Sequence, residues 1–267
     1  MRTTLAILLL VPYLAFAGFE QTEFGARAKA LGGSYVALAN DVWAMSYNVG
    51  GLTHLTQREV SFYYAPQQFG LSELSVSAFA IGYPTDYGTF GMMARRYGFD
   101  LYREVSWTFS YARTYSGVSV GVNMNYHSVT IQNYGSAGTI GFDVGALVHL
   151  TEQIQWGISA KNINAPTIGS SREPLPQSFT TGLAYMPIEK LSLSFDYFKE
   201  TKYDASSRFG VEYWLVDAVA LRFGVSNLPT QYAGGFGVQY NIFQFDYAFT
   251  THQELGVTHQ FSLGVRW

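Results

Sequence analysis

Alternation of apolar and polar residues, repeated along most of the chain, is the feature that most constrains the fold. The last thirteen residues, LGVTHQFSLGVRW, show it clearly. Val257, Phe261 and Leu263 lie on one parity, whereas Gln260 and Arg266 lie on the other. Because successive side chains of a β-strand point to opposite faces, this segment is predicted to be a strand with one apolar and one polar face.

The same pattern recurs in fourteen runs, separated by turns and loops. Runs of about 9–11 residues match the length that a tilted strand needs to cross a membrane. Short connections alternate with mostly longer ones, as they do in outer-membrane barrels. The sequence therefore predicts an all-β fold, a 14-stranded antiparallel transmembrane β-barrel whose last strand pairs with the first. The predicted strands span residues 58–66, 72–83, 88–97, 101–114, 117–131, 139–150, 154–163, 177–186, 190–199, 207–215, 218–226, 231–240, 242–250 and 256–267.

A large soluble β-sandwich is the alternative, but it would need polar outer faces. Only 13% of the residues are charged, against about 25% in an ordinary soluble domain. Aromatic residues make up 17%, and the mean hydropathy is +0.05. These values favour a barrel with an apolar outside and a polar inside. The net charge of −3 argues against a nucleic-acid partner, and the absence of Cys excludes disulfides.

Residues 1–17 have the features of a secretory signal peptide. Arg2 provides a short positive region, residues 5–14 are mostly apolar, and Ala15-Phe16-Ala17 is a small-residue cleavage site. The apolar run is too short to cross a membrane as a helix. The mature chain is therefore predicted to begin at Gly18, with a buried N-terminal helix as the alternative.

Residues 18–57 lack a sustained period of two and carry two glycine pairs, Gly32-Gly33 and Gly50-Gly51. Irregular backbone cannot lie in lipid, because its N–H and C=O groups would have no partners there. The segment is therefore predicted to fold inside the lumen as a plug, or hatch, ahead of a barrel formed by residues 58–267.

This N-terminal segment resembles that of the FadL-like outer-membrane barrels, and of the PorV/PorQ family in particular. Members of that group tend to read G-A-R-A, M-G-G-A, A-D-D and N-P-A-G-L. Residues 25–28, 31–34, 39–41 and 48–52 are similar, with Val49 in place of the proline. The plug-motif residues are Gly25, Arg27, Gly32, Gly33, Asn40, Asp41, Asn48 and Gly51.

The resemblance continues through the C-terminal half and implies a 14-stranded barrel plugged by its N-terminus, in the outer membrane of a Gram-negative-type bacterium. The final aromatic, Trp267, resembles the signal that outer-membrane assembly machinery reads. That machinery and outer-membrane lipid are therefore the expected partners. Family members include transporters of hydrophobic compounds and components of type IX secretion that shuttle or anchor exported proteins.

Ionisable residues on the inward parity are the candidates for a site in the lumen. They can pair with one another and with the plug, or some of them can conduct ions or bind a ligand. Register from the turn at residues 151–153 places Asp143 opposite Lys161, and register from a turn at Asp217 places Glu212 opposite Arg222. The candidate lumen charges are Asp143, Lys161, Asp196, Glu212, Arg222, Asp246 and Arg266.

A catalytic reading rests on Ser110, Asn123, Asn125 and His127, the residue types that an outer-membrane phospholipase uses. Such a set faces lipid, whereas Asn123, Asn125 and His127 share the polar, inward parity. The chain shows no metal-ligand spacing and no phosphate-binding loop. The sequence therefore predicts a protein that is not an enzyme, with no cofactor and no metal.

Two functions stay open: passage of small hydrophobic molecules, and docking of exported proteins in a type IX-like secretion system. A transporter needs an apolar pocket between plug and wall, whereas a docking barrel needs exposed apolar loop tips. Residues 165–168 are the candidate exposed tip. Aromatic residues at strand ends, such as Tyr97 and Trp107, are predicted to form interface girdles rather than ligand-stacking sites.

Overall fold

Strands form most of the molecule, and the computed structural model describes residues 18, 19 and 23–267. The predicted signal peptide, residues 1–17, lies outside the described residues. The strands in chain order are β1 (Glu59–Ala65), β2 (Val76–Thr85), β3 (Gly88–Gly98), β4 (Tyr102–Tyr115), β5 (Val118–Ile131), β6 (Gly135–His149), β7 (Ile154–Lys161), β8 (Thr167–Ile168), β9 (Glu173–Pro174), β10 (Ser178–Ile188), β11 (Leu191–Glu200), β12 (Ser206–Val216), β13 (Val219–Asn227), β14 (Thr230–Tyr240), β15 (Phe243–His252) and β16 (Gly256–Arg266).

Fourteen of these strands, β1–β7 and β10–β16, close into one antiparallel barrel. The last strand pairs with the first, and Phe62 of β1 lies opposite Leu263 of β16. The predicted closed barrel and its closing pair are therefore confirmed. The short strands β8 and β9 pair only with each other, in the long connection between β7 and β10.

Side chains alternate across the wall as the sequence pattern predicts. In β5, Val120 and Val122 are exposed on the outside, whereas Ser119 and Asn123 are buried on the inside. Apolar residues outward and polar residues inward are the reverse of a soluble barrel. This arrangement is typical of a barrel whose outer wall faces lipid.

The connections divide the barrel into two ends. At the short-turn end lie residues 86–87, 116–117, 150–153, 189–190, 217–218 and 241–242. At the loop end lie residues 66–75, 99–101, 132–134, 162–177, 201–205, 228–229 and 253–255. Two predicted strand starts differ from the structure by four residues, whereas the other predicted boundaries agree within two residues. β6 begins at Gly135 rather than at residue 139, because its pairing with β5 continues to Ile131. β2 begins at Val76, because Ser72–Leu74 forms a 3₁₀ turn.

The N-terminal segment, defined here as residues 23–55, contains two short helices and a 3₁₀ helix. They are α1 (Ala26–Ala30), α2 (Ala44–Tyr47) and the 3₁₀ helix Val49–His54. α1 packs against β13–β16, whereas the 3₁₀ helix packs against β3–β6 on the other side of the barrel. The segment therefore contacts opposite walls. Among the described residues, no helix is long and apolar enough to cross a membrane.

Candidate functional site

The N-terminal segment lies very close to the strands where their inward positions are glycine. A Cβ atom on Gly224 of β13 would lie 2.1 Å from the backbone nitrogen of Gly32. One on Gly145 of β6 would lie 2.3 Å from Oδ1 of Asn48. Any side chain at these positions would push the segment away from the wall. The high glycine content of the strands is thus partly a consequence of this contact.

The other glycines of the plug motif have local roles. Gly25 has a φ of +100°, and a Cβ atom there would lie 2.6 Å from the Trp43 side chain. A Cβ atom on Gly51 would lie 2.2 Å from the carbonyl oxygen of Ala39. Gly33 has a φ of +76°. At each position, a close contact or a left-handed backbone requires a residue that lacks a side chain.

Arg27 of α1 makes five polar contacts, two to the barrel wall and three within the N-terminal segment. Its Nε and Nη2 atoms each donate a hydrogen bond of 2.8 Å to the carboxylate of Glu212 on β12. Its Nη1 atom donates to the Tyr35 hydroxyl at 2.9 Å and to Asn40 Oδ1 at 2.5 Å. The Asp41 carboxylate lies 3.6 Å from the same nitrogen. Two plug-motif residues, Asn40 and Asp41, therefore serve to hold a third.

The predicted pair of Glu212 and Arg222 is present and belongs to this network. The two residues lie opposite each other on β12 and β13, and Arg222 Nε donates to Glu212 at 2.6 Å. Arg222 Nη1 donates to Asp246 at 2.6 Å. Both arginines and both acids are buried. Each charge inside this low-dielectric space is therefore matched by an opposite one, as burial requires.

Asp196 on β11 binds the backbone of the segment instead of another charge. Its Oδ2 atom accepts hydrogen bonds from the N–H groups of Tyr35 and Val36, at 2.8 and 2.9 Å. The residue is completely buried. This carboxylate therefore fixes the position of the turn that follows α1.

Glu23 begins the segment and pairs with Arg208 of β12 at 2.6 Å. Burial favours the neutral acid, but the positive charges of Arg208 and Lys29 outweigh it and lower the pKa of Glu23 from 4.5 to about 2. Lys29 Nζ lies 3.9 Å from the same carboxylate. The acid is thus held ionised between two cations.

The predicted pair of Asp143 and Lys161 has the expected register, because the adjacent residues Val144 and Ala160 lie opposite each other. The side chains nevertheless bind elsewhere. Lys161 Nζ donates to the backbone carbonyl of Ser46 at 2.6 Å, in α2 of the N-terminal segment. The Asp143 carboxylate accepts hydrogen bonds from Asn123, Asn125 and Asn162.

Two further ion pairs, one partly buried and one buried, include residues that the sequence reasoning did not select. Arg266 donates to Glu59 at 3.0 Å across the closing pair of strands. Arg95 pairs with Glu104 at 2.9 Å. The inward parity of Glu59 on β1 and of Arg95 on β3 was the signal that could have found them.

A pocket of about 380 Å³ opens at the loop end, between the chain at Phe19 and the barrel wall. Its apolar lining includes Phe19, Phe69, Leu74 and Tyr97. Tyr97 therefore faces inward. Its predicted place in an interface girdle is wrong, because Tyr97 lies on the same face of β3 as Arg95, which points into the lumen. Trp107, by contrast, is exposed on the outside.

A second cavity, of about 110 Å³, shares Phe19 with the first and is lined by Val129 and Leu175 on its other side. Phe19 is buried, and its N–H donates to Glu104 at 2.9 Å. Ile168 is buried in the same cluster as Phe19 and Leu175. The prediction of an exposed apolar tip at residues 165–168 is therefore wrong at Ile168, because the long loop folds inward over the barrel mouth.

The residues of the catalytic reading do not come together. Ser110 donates to Asn123 at 2.6 Å, whereas His127 Nδ1 lies 2.8 Å from the hydroxyl of a different serine, Ser106. Asn125 accepts from Thr108. Within the described part of the chain, no cluster of three His, Asp or Glu residues could hold a metal ion.

No family model matches this chain, and no curated protein matches it. Solved structures do. The Pseudomonas putida toluene transporter TodX is 12% identical, with a TM-score of 0.63 over 93% of this chain and 98% of that one. A Pseudomonas aeruginosa FadL homologue is 12% identical, with a TM-score of 0.64 over 94% and 99%. The Acinetobacter baumannii outer membrane protein Omp33 is 8% identical, with a TM-score of 0.54 over 79% and 98%. The predicted FadL-like barrel fold is confirmed.

Proposed function

We propose that this chain is a non-enzymatic outer-membrane barrel that passes small hydrophobic molecules across the outer membrane of a Gram-negative-type bacterium. The observation that carries the proposal is the mostly apolar pocket of about 380 Å³ between Phe19 and the wall, whose lining also includes Glu73 and the Arg95-paired Glu104. A concave, mostly apolar pocket with a few polar groups is the usual form of a site for a small hydrophobic ligand. The similarity in fold to the toluene transporter TodX supports the same class of function.

Phe19 lines both loop-end cavities and so lies between them. A ligand in the larger pocket would contact Phe69, Leu74 and Tyr97 and then meet Phe19. The N-terminal segment, which follows Phe19 in the chain, contacts both sides of the barrel. We propose that the segment acts as the plug, and that the ligand leaves past the plug or through the wall.

The alternative is the docking of exported proteins in a type IX-like secretion system. The motifs at residues 25–52 that resemble the PorV/PorQ family favour it. Against it, Ile168 at the tip of the longest loop is buried rather than exposed. We therefore favour passage as the function and keep the PorV/PorQ relationship as a proposal about ancestry. We also propose that the outer-membrane assembly machinery recognises the C-terminal strand.

The test is uptake of N-phenyl-1-naphthylamine, a hydrophobic dye that fluoresces in membranes, by intact Gram-negative cells that produce the chain. Leu74→Asp places a charge in the pocket and should slow uptake about tenfold, because an apolar ligand cannot compensate a desolvated carboxylate. Leu71→Asp is the matched control, since Leu71 lies in the same loop but is exposed outside the pocket.

Equal rates for Leu74→Asp and the wild type would contradict passage through this pocket. Uptake no faster than in cells without the protein would contradict passage altogether. A secreted protein bound equally by the wild type and Leu74→Asp, with no dye uptake, would favour docking.

A further inference from the structure

A groove of about 470 Å³ crosses the outside of the barrel from β4 to β10. Its floor includes the outward residues Ala146 and Ala160, and the residues opposite them on the adjacent strands are all larger. Tyr111 and Phe179 form its raised sides. The groove exists because these two small residues lie diagonally across β6 and β7, where Ala146 is opposite Ile158 and Ala160 is opposite Val144.

One cation lines this apolar surface. Arg113 lies on the outward parity of β4, with its guanidinium 5.2 Å from the ring centre of Tyr115. The groove lining contains no Asp or Glu. Within residues 23–267, Arg113 forms no ion pair. The groove therefore offers an apolar channel with an uncompensated positive charge at one end.

The groove runs obliquely, so its position between the two ends of the barrel changes from β4 to β10. Paired residues form a row from Arg113 through Val120, Ala146 and Ile158 to Thr181. Arg113 lies two residues from the short-turn end of β4, whereas Thr181 lies seven residues from that end of β10. At about 3.4 Å per residue, the row climbs about 17 Å along the strands. The charge is thus near the barrel end, and the apolar channel leads toward the middle.

We propose that this groove binds one anionic phospholipid, with the phosphate on Arg113 and an acyl chain along the row toward Phe179. The planar guanidinium presents paired donors that match phosphate oxygens. A phospholipid has the same order of chemistry as the groove: an anionic group at the membrane surface and an apolar chain that runs inward. The inference rests on the outer-membrane location proposed above, but not on the passage of hydrophobic molecules.

The chain supplies matched controls for both parts of the site. Arg58 also lies at the short-turn end, with its guanidinium 4.5 Å from the ring centre of Tyr83, but it does not line the groove. Ala94 on β3 is an outward alanine like Ala160, set between Phe79 and Trp107, and likewise lies outside the groove.

The experiment is native mass spectrometry of the full protein in a non-ionic detergent, titrated with phosphatidylglycerol or phosphatidylcholine. The wild type should retain one phosphatidylglycerol in preference to phosphatidylcholine. Arg113→Gln should weaken retention about tenfold, as expected for the loss of a charge-assisted hydrogen bond. Ala160→Phe, which fills the floor, should weaken retention by a similar factor. Arg58→Gln and Ala94→Phe should match the wild type.

Equal retention of the two lipids, or equal loss in Arg113→Gln and Arg58→Gln, would show only the surrounding lipid shell and overturn the proposal. A dimer without bound lipid would overturn it in favour of a second copy of this chain. Heat-dependent gel mobility reports whether each variant is folded, and if Ala160→Phe is not, Arg113→Gln decides. If wild-type cells take up the dye but the purified protein shows no preference between the two lipids, the lipid site is rejected while the proposed function stands.

Discussion

A single methyl group at Gly224 should displace the N-terminal segment from the wall. The Cβ atom of Gly224→Ala would lie 2.1 Å from the backbone nitrogen of Gly32 and 2.1 Å from the carbonyl carbon of Leu31. Real Cβ contacts are essentially never shorter than 3.0 Å, so the two backbones must separate by at least 0.9 Å. β13 is held by hydrogen-bonded neighbours on both sides, whereas α1 has five residues, and we therefore expect the segment to move.

Overpacking of this kind costs about 1–3 kcal/mol. If this overpacking destabilises the form in which the segment lies against the wall, the displaced form becomes about 5- to 150-fold more populated. Two measurements report it. Efflux of glucose from proteoliposomes should rise if the segment acts as the plug proposed above, because the displaced segment would fill less of the lumen. Trypsin cleavage after Arg27 or Lys29, which should be slow in the wild type because Arg27 is buried, should become faster.

Gly264→Ala is the control, because it is also an inward glycine on a barrel strand. Its Cβ atom would have Ser61 Oγ as its nearest neighbour, at 3.5 Å, which is ordinary contact. Efflux and cleavage should match the wild type. Equal increases in both variants, or none in Gly224→Ala, would refute the reasoning that the segment is seated on this glycine and closes the barrel.

Two other perturbations test the charges of the segment. Arg27→Met leaves Glu212 buried beside one arginine instead of two and should cost about 3–5 kcal/mol in urea unfolding from detergent micelles. Lys190→Met, at an exposed pair, should leave the unfolding midpoint unchanged, and equal losses would argue against the network. Because the folded pKa of Glu23 is lowered to about 2, its contribution to stability is complete above pH 4.5 and is lost as the pH falls toward 2. Glu23→Gln should therefore show a flatter fall in thermal midpoint between pH 4.5 and 2, and parallel curves would count against the pair with Arg208.

Most of the barrel could be predicted from the sequence, because the strand period of two is a local property that needs no knowledge of neighbours. It fixed the parity of Val120 and Asn123 and the pairing of Glu212 with Arg222. The boundaries were less accessible. β6 extends to Gly135 because pairing with β5 continues through residues that read as a loop.

The lumen contacts could be predicted only where both partners lie on adjacent strands. Lys161 was placed opposite Asp143, yet its ammonium binds the carbonyl of Ser46, which is 115 residues away in the chain. Parity shows that a side chain points inward but not what stands in front of it. That answer depends on how the irregular N-terminal segment folds, and its short helices carry no repeating pattern from which its position could be inferred.

The glycines connect these two levels. A glycine in a strand weakens the strand and is expected to mark a close approach of something else. Gly145 and Gly224 both have inward parity, and each stands where the backbone or side chain of the N-terminal segment would meet a Cβ atom. Inward glycines on the strands, together with the short Ala-rich helix α1, therefore encode where the segment touches the wall. Gly264 is an inward glycine where a Cβ atom would meet only other strands, at ordinary contact distance, so this inference also needs the structure, since sequence alone does not distinguish the two kinds.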